Sequence, residues 1–164
     1  MSEDRATALR REFDSSFQQE PTSARAARED LLVIRLGDEL YGLRLAQVEG
    51  VVRDKKITHL PGAPSELLGI AGFRGLLVAA YDLATWLGLS RGDPRWLALV
   101  AAPGKSKIAL AFDSLEKQLR LDPAELVKSD LSGHVDSLVQ TSEGSLRVLS
   151  IPSLVARVSD RSPV

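Results

Sequence analysis

Leu67-Leu-Gly-Ile-Ala-Gly-Phe-Arg-Gly-Leu-Leu-Val-Ala-Ala-Tyr-Asp-Leu83 is the stretch on which the reading of the fold turns. Its second half, Leu76 to Tyr81, is a continuous apolar run bounded by Gly75 and Asp82, which predicts a strand buried on both faces. Ahead of it stand three glycines spaced three apart, Gly69, Gly72 and Gly75, where backbones can approach closely or φ can turn positive. Ser65 to Gly69 is expected to form a helical turn. Ahead of the bounding Asp82, the one charge in the apolar tract is Arg74. A guanidinium does not shed its proton, so this one must reach solvent, a carboxylate or a partner molecule.

Upstream of that stretch, Leu31 to Leu36 and Leu40 to Leu45 flank the turn Gly37-Asp-Glu39 and predict a hairpin. Ala46 to Val52 fits a helical turn or a bent strand. Ile57 to Leu60 is short and extended and runs into a rigid corner at Pro61 and Pro64. Downstream, Asp82 is placed to open a helix over Leu83 to Leu87. The same order then returns. Trp96 to Ala101 and Ile108 to Phe112 predict a second hairpin around Pro103-Gly-Lys-Ser106, and subtracting 67 lays this half on the first. Leu99 falls on Leu32, Leu110 on Leu43 and Arg120 on Arg53, which predicts two related β-units. Asp122-Pro-Ala-Glu125 opens another turn. Val135 to Thr141 and Leu146 to Ile151 form a last hairpin, and Ser153 to Val158 a terminal helix after Pro152.

The domain organisation expected is a polar tail over residues 1–29, one folded unit over 30–158 and a short tail over 159–164. Leu9, Phe13 and Phe17 make a narrow apolar stripe in the first tail, which is too short a helix to stand alone. A net charge of −1 and only 5% aromatic residues leave neither a basic field nor a stacking platform for nucleic acid. The chain has no cysteine, so disulfides, thiolate metal sites and cysteine nucleophiles are excluded. No apolar run approaches the ~20 residues that span a bilayer, and a cytoplasmic location without membrane insertion is expected. His59 and His134 are the two histidines and have no neighbours at metal-ligand spacing. Gly104-Lys105-Ser106 resembles the end of a phosphate-binding loop, but Leu99 stands where that loop needs a glycine. Asp82 and Asp113 read as cap and turn residues. No catalytic group, metal or cofactor is expected.

Several motifs in order resemble the CheW family of chemosensory coupling proteins. Leu36-Gly-Asp-Glu-Leu-Tyr-Gly-Leu43 is similar to the family's first hairpin and Ile57-Thr-His-Leu-Pro-Gly-Ala-Pro64 to its Ile-Thr-x-x-Pro-x-x-Pro corner. Leu68-Gly-Ile-Ala-Gly-Phe-Arg-Gly75 is similar to its Gly-Val-x-Asn-Leu-Arg-Gly segment, and Val78-Ala-Ala-Tyr-Asp-Leu83 to its Val-Pro-Val-x-Asp-Leu strand end. Trp86-Leu-Gly-Leu89 and Phe112-Asp113 continue the likeness. The resemblance implies an all-β fold of two intertwined five-stranded, SH3-like barrels. It also implies a non-enzymatic role, bridging chemoreceptor cytoplasmic tips and the regulatory domain of a CheA-type histidine kinase. A divergent, accessory member, of the kind that serves a Frz-type gliding-motility system, fits the same likeness.

Under that reading Val33, Leu45 and Val48 are candidates for an apolar groove that takes a receptor helix. Glu49, Gly50, Gly72 and Arg74 are candidates for the coupling surface. Three of the family's usual residues are replaced: its Glu by Gly50, its Asn by Gly72 and its strand-end Pro by Ala79. Loss of the acid removes a carboxylate partner for Arg74, and Glu49 points elsewhere unless the backbone rotates. The expectation is therefore a receptor-binding protein with weakened kinase binding. The alternative is a regulatory or ligand-binding β-module outside any receptor–kinase array.

Overall fold

The computed structural model describes residues 28–89, 94–100, 107–129 and 133–161. The Leu9-Phe13-Phe17 stripe and the Gly104-Lys105-Ser106 turn lie outside the described residues. Twelve strands are present among those described. They are β1 (Glu29–Leu36), β2 (Glu39–Arg44), β3 (Val48–Arg53), β4 (Ile57–Thr58), β5 (Leu67–Phe73), β6 (Leu76–Asp82), β7 (Trp96–Val100), β8 (Ile108–Phe112), β9 (Ser114–Leu121), β10 (Val127–Lys128), β11 (Val135–Thr141) and β12 (Gly144–Leu149). Two helices follow β6 and β12, α1 (Leu83–Trp86) and α2 (Ile151–Arg161). No helix among the described residues is long and apolar enough to cross a membrane.

The internal repeat runs through the whole described body. Strands β1 to β6 with α1 recur as β7 to β12 with α2. The turn-closing pair Phe73↔Leu76 of one late hairpin corresponds to Thr141↔Gly144 of the other, each residue 68 positions on. Neither sheet is built from a single repeat. The first sheet has the order β10-β11-β12-β2-β1-β9, and the second β4-β5-β6-β8-β7-β3 when read in the matching direction. Each therefore takes the early hairpin of one repeat and the four later strands of the other. The early hairpin joins its host sheet by a parallel pairing, β2 with β12 and β8 with β6. The two units are thus intertwined and cannot separate without breaking both sheets.

Hydrophobic alternation assigns three packed layers. Leu31 and Val33 point into the first sheet's concave side with Val139, Leu146 and Val148. Ala109 and Ala111 do the same in the second with Ala71, Phe73, Val78 and Leu97. The intervening positions, Leu32, Ile34, Leu36, Ile108, Leu110 and Phe112, meet between the sheets, where both helices add Leu83, Trp86, Ile151 and Leu154. The strands buried on both faces are therefore β1 and β8 rather than β6. β6 alternates, and its first residues Leu76 and Leu77 are 51% and 81% exposed.

Other expectations shift in detail. Each unit has six strands instead of five, and among the described residues no ladder joins β10 to β9 or β3 to β4, so the sheets are curled and open rather than closed barrels. The helical turn expected up to Gly69 is absent because β5 begins at Leu67. Ala46 to Val52 divides into a 3₁₀ turn, Leu45–Gln47, and strand β3. Asp113 accepts from the Gly37 amide at 2.6 Å, as a turn residue should. Asp82 precedes α1 but makes no side-chain cap; its carboxylate accepts from the Thr85 hydroxyl at 2.8 Å. Asp122 does cap its turn, reciprocally with Glu125.

Candidate functional site

The tip of the β5–β6 hairpin brings together most of the candidate coupling residues. Arg74 and Gly75 form its two-residue loop, with φ of 48° and 80°. Positive φ at both central positions matches the strand twist, and an arginine rather than Asn or Asp carries the less tolerant one. Two apolar residues follow at once. Leu77 pairs with Gly72 across the hairpin, where a Cβ would meet nothing within 4 Å, so Leu77 stands over an open patch of backbone. Among the described residues the exposed large hydrophobics are Leu76, Leu77 and Val127, and two of these three adjoin Arg74.

Gly50 reaches the same tip from β3, on the far side of the sheet order. A Cβ at position 50 would lie 3.1 Å from Cζ of Phe73 and 3.7 Å from a terminal nitrogen of Arg74. The curl of the sheet thus sets Gly50 against the hairpin tip, and its missing side chain admits the Phe73 ring. The Arg74 guanidinium lies over that ring, 5.4 Å from its centroid. Among the described residues no carboxylate pairs with Arg74. Glu49, beside Gly50, forms an ion pair with Lys107 at 2.9 Å and does not stand in for the absent acid. Gly50, Gly72 and Arg74 therefore converge, while Glu49 faces a different neighbour.

The groove candidates separate. Val33 is 1% exposed and belongs to the core of the first sheet, so it offers no surface to a partner. Leu45 and Val48 are half-buried on the segment where the chain leaves the first sheet for the second, and both pack against the core between the sheets. Gln47 lies between them with its side-chain oxygen buried and without a hydrogen-bond donor. This crossover is an apolar seam between two sheets, open enough to leave both side chains partly exposed.

The chemistry of these surfaces is that of contact. Among the described residues no group of three or more His, Asp or Glu side chains is placed to hold a metal. His59 is tied to the Leu68 carbonyl at 3.2 Å and His134 to the Ser153 hydroxyl at 2.7 Å. Comparison with protein families matches the CheW-like domain over residues 30–159. The chain belongs to the CheW-like family. Among curated proteins it is 27% identical to the probable chemotaxis protein CheW of Rhizobium etli over 109 residues, covering 62% of this chain and 70% of that protein. It is 26% identical to protein FrzA of Myxococcus xanthus over 143 residues, 82% of this chain and 89% of the relative. Among solved structures, the scaffolding protein TtCheW of Thermoanaerobacter tengcongensis superposes with a TM-score of 0.69 at 23% identity, covering 75% of this chain and 89% of that one. Membership of the family makes this a non-catalytic coupling or scaffold domain of chemotaxis-type signalling.

Leu76 and Leu77 escaped the sequence reading of the coupling surface. Their residue type predicts burial, and the six-residue apolar run carries no mark distinguishing its exposed start from its buried end.

Proposed function

We propose that this chain couples a chemoreceptor tip to a CheA-type histidine kinase, binding the receptor more firmly than the kinase. The receptor helix lies along the crossover seam, with Leu45 and Val48 as apolar contacts. The kinase regulatory domain meets the β5–β6 tip, where Leu76, Leu77 and Gly72 supply apolar surface and Arg74 the charge. One observation carries this reading: two large exposed leucines adjoin an arginine that no carboxylate among the described residues holds. Exposed apolar side chains next to an unpaired guanidinium are the usual makings of an interface anchor.

The weaker kinase contact follows from Gly50. An acid there, with the Phe73 ring displaced by a few tenths of an ångström to admit it, would brace Arg74 from β3, whereas at present the ring holds it only by its face. An arginine free to change rotamer loses ordering entropy on binding, which lowers affinity. The test is Gly50→Glu, measured by calorimetric titration against the isolated kinase regulatory domain and, separately, a receptor-tip fragment. Kinase binding should tighten several-fold with receptor binding unchanged. Tight kinase binding by the natural protein, unaltered by the substitution, overturns the weakened-contact reading.

A further inference from the structure

The pseudo-symmetry of the two repeats is broken at one junction by a cluster of cations. Where β6 and β8 run parallel, Ala79 is paired with Ile108. At the equivalent position of the other junction, where β12 and β2 run parallel, Arg147 is paired with Tyr41. Likewise the residue 68 positions before Arg157 of α2 is Leu89. The fold therefore closes one junction with Ala, Ile and Leu, and packing alone does not call for Arg, Tyr and Arg at the other.

These side chains line a cavity of about 290 Å³ together with Trp86 of α1 and His134, which precedes β11. Arg147 donates to the Tyr41 hydroxyl at 3.4 Å and lies over that ring, with Glu39 at 3.5 Å on its outer side. Arg157 sits 3.4 Å from Nε2 of His134, and among the described residues it has no carboxylate partner. The neutral imidazole accounts for both of its contacts: Nε2 accepts from Arg157 and Nδ1–H donates to Ser153. Trp86 is 7% exposed, and its indole nitrogen is buried behind the cavity wall with no hydrogen-bond partner among the described residues. Two guanidinium groups thus line a space whose one nearby carboxylate among the described residues, Glu39, is already shared between Tyr41 and Arg147.

We infer that this cavity binds a small oxyanion, a carboxylate or phosphate group of a soluble ligand, between Arg147 and Arg157 and against the Trp86 ring. Planar guanidinium forks suit both oxyanions, and the cavity has room for a short organic body attached to one. The inference does not depend on the receptor–kinase reading. Inorganic phosphate and succinate, titrated separately at ionic strength fixed with chloride, distinguish the two chemistries. The readout is the Trp86 indole N–H resonance in a ¹⁵N-labelled full chain, assigned with Trp96→Phe. A saturable shift of Trp86, with Trp96 unmoved, is expected for at least one anion, together with a rise in melting temperature that chloride does not produce. Arg147→Gln and Arg157→Gln should each weaken binding by about tenfold or more, and Arg157→Lys by less. If either glutamine variant fails to fold, the wild-type shift and the lysine variant still decide. No saturable shift with either anion overturns the inference, as does a shift that survives in the arginine variants unchanged.

Discussion

Gly69 and Gly72 look alike in the sequence, and the structure predicts opposite consequences for replacing them. Gly69 has φ of +146°, and a Cβ there would sit 2.0 Å from the Thr58 carbonyl oxygen and 2.7 Å from its carbon. Both are backbone atoms of β4, so no side-chain rotation relieves the contact. Gly69→Ala therefore has to push β4 away from β5 and hold a Cβ-bearing residue at a φ that suits glycine. The φ term costs about 1–3 kcal/mol. Displacing β4 threatens the Ile57↔Ala71 and Thr58↔Ile70 pairings, at about 1 kcal/mol for each hydrogen bond lost. The sum is about 3–5 kcal/mol, or a fall in melting temperature on the order of 10 °C for a chain of this size. Gly72→Ala meets nothing within 4 Å, so it should stay within about 0.5 kcal/mol of the wild type. Equilibrium urea unfolding of the three proteins, fitted with a common m-value, reads the difference directly. Coincident midpoints for wild type and Gly69→Ala would refute the close β4–β5 approach on which the hairpin's placement rests.

Leu77→Asp replaces a side chain that is 81% exposed, so unfolding should move by less than about 1 kcal/mol, while kinase binding falls at least about tenfold; loss of cooperative unfolding would show Leu77 to be structural. His134 predicts a pH dependence whose sign is fixed by its surroundings. Burial, then the Arg157 charge, hold its pKa below the ordinary histidine value, and Arg147 and Tyr41 line the same cavity. The unfolded chain thus takes up a proton that the folded protein resists, so stability is full above the unfolded pKa of about 6.5 and falls as pH drops below it. His134→Gln should flatten that part of the melting-temperature profile; an unchanged slope would assign the effect to other groups.

Much of the architecture was legible in the sequence because local pattern and local structure coincide there. The hairpin about Gly37, the Pro61–Pro64 corner and the capped turn at Asp122 each follow from turn chemistry beside alternating apolar residues. The repeat was visible from a handful of matches. Which hairpin stands beside which strands was not legible, because the alternation in Leu31 to Leu36 is satisfied equally by either sheet. The same limit hid the double burial of β8 and the exposure of Leu77, since residue type fixes preference and not neighbours. At the site, Arg74 and Gly50 could be named from the resemblance, but the Phe73 ring between them belongs to three-dimensional packing. The Arg147–Arg157–Trp86 cluster had no sequence signal, because its members come from strands and helices of both repeats at unrelated spacings.

The proposed coupling role requires a firm receptor contact and a weaker kinase contact. Calorimetric titration of the natural full-length protein with a receptor-tip fragment, and then with the kinase regulatory domain, tests it most directly. Saturable binding to the receptor tip is expected, with a dissociation constant for the kinase domain at least about tenfold higher, a gap of about 1.4 kcal/mol. Absence of receptor binding under conditions where the protein unfolds cooperatively would contradict it.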